Sequence, residues 1–394
     1  MSPPCSSRWS RRALGGLALL LALSLPSCRR GPLSRIPHPI LLVHGFGGSG
    51  VVWEKNYGVV PYFESLGLQF GGTLRVAPNG KVSRDRSGGG RDFFAVSFRD
   101  PYSSISDQGA ELAFAVAEVR RLSRAKEIVL VGFSMGGLTS RQYLVTHPGD
   151  HHVRHLVTIG TPHLGSPLAN GYDLAKWLEE HRVATGTDFG GLIRASLADA
   201  GRKAFSQFEG TVRELANDPR LAFDLPAVRD LRPPRSASYS TYAEGLLPGE
   251  TFLQELNGKT HPTDVTYACI VGEIRADDAA GKISAALQDH ERMKDSGTVL
   301  KQLPPLFGNL AITLSGSGGM KSNPFDGGDG VVSVESQDLR NTDFFRSRRG
   351  LVKVVQVQGV HHLQECWSHD AIRNAVGAER LTLSEAFSLD KALP

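Results

Sequence analysis

A short apolar run that breaks at a G-x-S-x-G turn and resumes at helical spacing constrains the fold of this chain most strongly. Residues 128–131 predict a buried strand, and the apolar positions within residues 138–144 predict a helix directly after the turn. A serine on such a sharp strand-to-helix turn has a strained backbone. Gly132 and Gly136 remove the Cβ atoms that would collide as the two elements close. Ser134 is therefore predicted to be a nucleophile on an elbow.

Two backbone amides are predicted to face that serine. Met135 opens the helix, where an N–H group and the helix dipole stabilise a developing negative oxygen. Residues 39–43 form a second buried-strand run, which opens into the glycine-rich loop 44–50 with Phe46 as the predicted second donor. Taken alone, this loop is equally compatible with a simple connection between strand and helix. His44 is expected to order the loop, because in chains with this elbow the catalytic histidine follows the serine.

Carboxylates and histidines stand downstream in the order that such a site requires. Asp326 and Asp329 lie in the glycine-rich segment 323–333, and a β-rich run ends in His361 and His362. An imidazole must accept the serine proton while a carboxylate fixes its tautomer and stabilises the imidazolium. Two other interpretations remain open from these residues alone. The Asp-Gly pairs are typical of ordinary turns, and the two histidines are compatible with a solvated strand end.

Two segments near the serine, GGLTSR at 136–141 and TIGTPHLGS at 158–166, carry a family resemblance. They resemble the bacterial secreted triacylglycerol lipases of the α/β-hydrolase fold, roughly over residues 38–168 and 326–370. Those lipases also have an H-G-hydrophobic loop, a D-G-(V/L)-V segment with the triad aspartate, and an H-L dipeptide with the triad histidine. The resemblance implies a triad of Ser134, Asp329 and His362, with Phe46 and Met135 forming the oxyanion hole.

The same resemblance implies a fold and an activity. The fold is an α/β hydrolase, with a mostly parallel central sheet, helices on both faces and a cap or lid insertion. The activity is carboxylic-ester hydrolysis through an acyl-enzyme, as in a triacylglycerol lipase acting on medium and long acyl esters. A phospholipase, thioesterase or acyltransferase of this fold would use the same groups, and a surface lipoprotein without activity would be a binding module.

Neither a metal nor a cofactor is expected. Many of these lipases have, two residues after the histidine, an aspartate that helps to bind calcium, but this chain has Gln364 there. No cysteine or histidine cluster has zinc spacing. His163, in the TPH segment, is expected to pack or hydrogen-bond beneath the site, with direct contact to substrate the less favoured alternative.

The N-terminal segment predicts export. Residues 1–27 combine a basic start with an apolar stretch at 13–25, which is typical of a secretory signal. A small residue before Cys28 resembles a bacterial lipobox, so Cys28 is a candidate for acylation and membrane attachment, and plain secretion is the alternative. The formal net charge of +4 falls to +1 once the three arginines of that segment are removed, so nucleic acid is not an expected partner.

The predicted organisation is one hydrolase core enlarged by insertions. The core comprises residues 36–166 and 265–394, with a cap or lid insertion at 167–264 and a second insertion at 275–325. Strands are predicted at 40–43, 93–98, 128–131, 154–159, 265–271 and 352–357. The glycine-rich, arginine-rich segment 78–91 is predicted to be an exposed loop, and 173–180 and 192–204 are predicted helices. Cys269 and Cys366 are candidates either for a disulfide or for buried thiols.

Overall fold

An eight-stranded sheet forms the centre of the computed structural model. The structure describes residues 34–56, 58–85, 89–166, 169, 225–233, 252–273, 328–329, 331–358, 362 and 365. The strands are β1 (Ile40–Val43), β2 (Phe70–Val76), β3 (Val82–Arg84), β4 (Phe93–Ser97), β5 (Ile128–Phe133), β6 (Val153–Ile159), β7 (Thr266–Glu273) and β8 (Val352–Gln358). Their order across the sheet is β3-β2-β4-β1-β5-β6-β7-β8. Every neighbouring pair is parallel except β2 and β3.

Strands β1 and β5 lie side by side in the middle of this sheet. Ile40 pairs with Val129 and Val43 with Gly132, so the loop after β1 and the turn after β5 leave the sheet at the same edge. All residues of both strands are buried, as expected for parallel strands covered on both faces. Ligand sites in open parallel sheets form at the carboxyl ends of such central strands.

The strands predicted from apolar runs are all present, but two further strands were not predicted. β2 begins with Phe70-Gly71-Gly72, and its register against β4 shifts between Phe70 and Thr73. Glycine is a poor strand former, so the sequence pattern did not predict this strand. The prediction of an exposed loop at 78–91 was wrong at Val82–Arg84, because these residues pair with β2 as the antiparallel strand β3.

Helices cover both faces of the sheet. They are α1 (Val59–Ser65), α2 (Ile105–Ser123), α3 (Met135–Thr146), α4 (Pro226–Asp230), α5 (Phe252–Gly258), α6 (Val334–Gln337) and α7 (Asp343–Arg346), with a short π-helical segment at Val52–Asn56 and 3₁₀ turns at Leu339–Asn341 and Arg349–Leu351. Ser104 caps α2 by accepting from the Asp107 amide. An apolar stripe of this helix packs into the core: Leu112, Val116 and Val119 are buried.

Alternate residues of each central strand face opposite layers of the core. Ile40 and Leu42 pack with Trp53 and Phe63 on one face, and Leu41 and Val43 pack with the α2 stripe on the other. A third apolar cluster lies away from these layers and joins helix α3 to α4 and α5. Its buried members are Ile105, Met135, Leu138, Ala227, Leu253 and Leu256, with Phe46, Val145, Leu231 and Phe252 packed against them.

The chain leaves the sheet after β6 and returns at β7, which is where the first insertion is predicted. Helices α4 and α5 are the described helices of that interval. The predicted helices at 173–180 and 192–204, the second insertion at 275–325 and the N-terminal segment with Cys28 lie outside the described residues. Among the residues that the structure describes, no helix combines the length and apolar content needed to cross a bilayer.

Candidate active site

Ser134 occupies a strained turn between β5 and α3. Its φ of 52° and ψ of −126° are unusual for a residue with a side chain. The neighbouring glycines make the turn sterically possible. A Cβ on Gly132 would lie 2.6 Å from the Gly137 Cα, and one on Gly136 would lie 2.5 Å from the His44 carbonyl oxygen. The turn holds the serine at the carboxyl end of the central strand, as its sequence predicted.

Three side chains from distant parts of the chain form one hydrogen-bonded line. The His362 Nε2 lies 2.9 Å from the Ser134 Oγ, and the His362 Nδ1 lies 2.7 Å from the Asp329 Oδ2. The other carboxylate oxygen, Asp329 Oδ1, accepts from the Val331 and Val332 amides at 2.8 and 2.7 Å. A carboxylate only accepts, so Nδ1 carries the imidazole proton and Nε2 is free to accept from the serine hydroxyl. Asp326 and His361, the competing candidates, lie outside the described residues.

The loop after β1 lies directly against the serine. A Cβ on Gly45 would be 2.9 Å from the Ser134 Cβ, which requires glycine at this close approach. His44 is fully buried and does not contact the serine: its Nε2 accepts from the Phe98 amide at 3.4 Å and its Nδ1 donates to the Gly45 carbonyl at 2.8 Å. Burial lowers the pKa of His44 to about 4, so the ring stays neutral and fixes the loop.

A family model described as the alpha/beta hydrolase fold matches residues 38–197, which include the elbow and the loop after β1. The chain has the α/β-hydrolase fold. The parallel sheet, the elbow after β5 and the His362 that follows β8 agree with this assignment, and the resemblance predicted from the sequence is confirmed.

The relatives that match this chain include bacterial lipases. A triacylglycerol lipase of Burkholderia plantarii is 28% identical over 159 residues, covering 40% of this chain and 38% of the lipase. A triacylglycerol lipase of Pseudarthrobacter phenanthrenivorans is 30% identical over 136 residues, covering 34% and 35%. The matches thus span less than two fifths of these relatives. Lipase 1 from Pelosinus fermentans is a similar solved structure, with a TM-score of 0.48 and 17% identity over 90% of this chain and 97% of that one.

A second buried carboxyl group, which sequence reasoning missed, lies next to Asp329. Glu365 is fully buried against Asp329 and His362, three residues after the histidine. Gly160, with a φ of 56°, and Gly272 leave the space that its carboxyl group occupies. Burial, followed by the charge of Asp329, raises the pKa of Glu365 well above its usual range. Burial and the neighbouring Asp329 charge thus favour the neutral form of this carboxyl group. The only feature of the sequence that could have indicated a role for Glu365 at this site is its position three residues after His362.

Asp329, His362 and Glu365 also lie close enough together to be considered as metal ligands, within 4.8 Å of one another. The His362 Nδ1 is already engaged with Asp329, and a neutral Glu365 is a poor cation ligand. The donor set therefore fits a hydrogen-bonded triad better than a metal centre. Gln364 lies outside the described residues.

A buried polar cluster supports the loop beneath the site. The fully buried guanidinium of Arg141 donates to the His261 Nε2 at 3.2 Å and the Asn257 Oδ1 at 2.9 Å, and its NH1 lies 3.2 Å from the His163 Nδ1. Burial and the Arg141 charge lower the pKa of both histidines, that of His261 to about 2. His163 therefore acts as a neutral hydrogen-bonding group under the site, as its sequence predicted.

Cys269 lies at the edge of this cluster as a buried free thiol. Its Sγ accepts from the Thr158 hydroxyl at 3.3 Å, and burial raises the pKa of the thiol to about 11. A thiol in this state is a structural group and not a nucleophile at neutral pH. Cys366, its predicted alternative partner, lies outside the described residues.

Proposed function

We propose that this protein is a serine carboxylic-ester hydrolase, and specifically a triacylglycerol lipase that acts on medium and long acyl esters. One observation carries the chemistry: the line from Asp329 through His362 to Ser134, with the serine on a strained elbow. The lipase relatives support the choice of lipid esters. The same geometry distinguishes this proposal from an inactive binding module, which has no need to keep a serine hydroxyl bonded to an oriented imidazole.

In the proposed reaction, the Ser134 Oγ attacks the ester carbonyl while the His362 Nε2 takes its proton. Asp329 holds the Nδ1 proton in place and stabilises the imidazolium. The amides of Phe46 and Met135 donate to the oxyanion. The imidazolium then protonates the departing alcohol, and water attacks the acyl-enzyme with His362 again as the base. The fatty acid leaves and the serine is restored.

The apolar surroundings of the elbow support long acyl chains. Met135 and Phe46, the two proposed oxyanion residues, belong to the same apolar cluster as Leu253 and Phe252 of α5. An acyl chain that enters beside this cluster leaves water, and each buried methylene contributes about 0.8 kcal/mol. The specificity constant is therefore expected to rise with chain length until the pocket is full.

The test is hydrolysis of nitrophenyl acetate, butyrate, octanoate and palmitate, with and without emulsion, together with labelling by a fluorophosphonate. Ser134→Ala should abolish both labelling and turnover. Ser65→Ala is the matched control, since the Ser65 hydroxyl is exposed and bonds only to the Tyr62 carbonyl in its own helix. A specificity maximum at acetate with no response to the emulsion would reduce the proposal to a small-ester esterase. Turnover retained by Ser134→Ala would refute it altogether.

We also propose that the protein is exported and attached to a membrane through acylated Cys28. The basic start, the apolar stretch and the small residue before Cys28 support this proposal. Cells that express the full chain should incorporate labelled palmitate into the membrane fraction, and Cys28→Ala should remove the label. Cys5→Ala is the matched control, because Cys5 leaves with the signal. An unlabelled wild-type protein in the medium would favour plain secretion.

A further inference from the structure

Helix α4 is bonded to the connection between β4 and α2. The Ala227 amide donates to the Tyr102 carbonyl at 3.2 Å. The Asp230 Oδ2 accepts from the Ile105 amide, the first N–H of α2, at 2.7 Å. A helix N-terminus has unpaired N–H groups and a positive dipole, so a carboxylate from another segment is a favourable partner there. Two bonds thus fix α4 to both ends of residues 102–105.

The same connection holds the proposed oxyanion loop. The Gly47 amide donates to the Pro101 carbonyl at 3.3 Å, and the Phe46 ring packs edge-on against Tyr102 with centroids 5.1 Å apart. Gly47 has a φ of 64°, and a Cβ there would lie 3.0 Å from the Tyr102 hydroxyl oxygen. The loop therefore follows the surface of Tyr102, and the position of Tyr102 determines where the Phe46 amide lies relative to Ser134.

The C-terminal end of the α4 segment is connected by hydrogen bonds to the loop that carries Asp329. The Leu231 carbonyl accepts from the Ser166 amide at 3.0 Å, and the Ser166 hydroxyl donates to the Val331 carbonyl at 2.7 Å. Val331 in turn donates its amide to Asp329. Residues 227–231 therefore connect the proposed oxyanion loop on one side of the serine with the acid loop on the other.

We propose that Asp230 is a positioning residue for the oxyanion hole. Its bond to the Ile105 amide, together with the bond of Ala227 to Tyr102, holds α4 as a fixed clamp against the Phe46 loop. This inference rests on the proposed function. It assigns a rigid role to one part of the predicted cap or lid insertion at 167–264. Because the clamp acts on the place where charge develops and not on acyl binding, its loss is expected to lower kcat and leave KM nearly unchanged.

The charge of Asp230 adds a second, independent signature. Burial raises the pKa of Asp230 to about 6, while Arg229 of α4 lowers it and Asp107 of α2 raises it. A protonated carboxyl group is a weaker acceptor for the Ile105 amide than a carboxylate. The clamp is therefore expected to weaken as pH falls through about 6. An asparagine at this position keeps an amide oxygen as acceptor and has no titration.

The experiment compares Asp230→Ala, Asp230→Asn and Asp107→Asn in the full chain. Asp107→Asn removes a charge from the same helix N-terminus and leaves both clamp bonds in place, so its kcat at pH 8 should equal that of wild type, and the pH at which its clamp weakens should be lower because Asp107 raises the pKa of Asp230. We expect Asp230→Ala to lower kcat by about 10- to 100-fold, because small displacements of catalytic groups cost on the order of 100-fold, with KM within about twofold. Asp230→Asn should keep most of the kcat at pH 8, and its ratio to wild type should rise below pH 6.

Hydrogen exchange of residues 45–48 provides a readout that does not depend on ester hydrolysis. Asp230→Ala should accelerate exchange at the Phe46 and Gly47 amides, and Asp230→Asn should not. Unchanged exchange together with unchanged kcat in Asp230→Ala would overturn the clamp, as would equal losses in the alanine and asparagine variants. If the wild type hydrolyses no ester in a Ser134-dependent way, the proposed function fails, and the exchange result alone decides the clamp.

Discussion

Replacing Asp329 by asparagine tests the orientation of the imidazole directly. Both Asp329 oxygens are used: Oδ1 accepts from two backbone amides at 2.8 and 2.7 Å, and Oδ2 faces the His362 Nδ1 at 2.7 Å. Since the two amides require an acceptor, the asparagine oxygen is expected to take the Oδ1 position and turn its NH₂ group toward His362. The imidazole must then accept at Nδ1 and carry its proton on Nε2, where it faces the serine.

The wrong tautomer cannot accept the serine proton, and the expected loss in kcat is on the order of 10⁴-fold, or about 5.5 kcal/mol in the activation barrier. The assay is nitrophenyl ester turnover at pH 8, with fluorophosphonate labelling as a measure of serine reactivity. Asp343→Asn, at an exposed position, is the control and should be unaffected. Turnover of Asp329→Asn within tenfold of wild type would refute the reasoning and redirect attention to Asp326.

Three further outcomes are expected. Glu365→Gln should change kcat/KM by less than about threefold from pH 6 to 8, because burial and the Asp329 charge favour a neutral carboxyl group that glutamine resembles; a shifted pH profile would contradict this expectation. Gly45→Ala should lower turnover by at least about 100-fold, because the added Cβ would collide with the Ser134 Cβ. A Cβ at Gly350 would have no atom within 4 Å, so Gly350→Ala should leave turnover unchanged. The depressed pKa of His261 means that the folded state binds fewer protons than the unfolded state, so the free energy of unfolding should fall below pH 6.5 by up to about 1.4 kcal/mol per pH unit. Urea unfolding at pH 7, 5 and 4 measures this slope, and His261→Gln should make it smaller, leaving the contributions of His44 and His163.

The sequence predicted those parts of the fold that depend on apolar periodicity. β1, β4, β5, β6, β7 and β8 lie where the β-branched runs are, because buried parallel strands need apolar residues on both faces. β2 could not be found in this way. Its Gly71 is required because the Phe94 ring occupies the space of a Cβ, and this contact with another strand leaves no periodic signal in the β2 sequence.

The site shows the same division between local and tertiary information. The elbow is local, since strand, glycines and helix are contiguous, and its geometry follows from about ten residues. Glu365 is the opposite case. A glutamate in a polar sequence predicts an exposed charge, and only the cavity left by Gly160 and Gly272 shows that it is buried, which raises its pKa. Helix α4 likewise has no motif, and its role depends on bonds to residues more than 100 positions away.

Strand β8 lies at one end of the described sheet and bonds only to β7 there, and His362 follows it by four residues. Most of its residues are partly exposed, in contrast to the buried strands β1 and β5. Terminal elements with few buried contacts open at lower free energy than the centre of a domain. Within the described residues, the serine thus follows a fully buried central strand, whereas its imidazole follows a strand that is expected to open at lower free energy. Mild denaturant should therefore remove activity reversibly while the central sheet remains intact, and the loss of turnover should precede the loss of secondary structure.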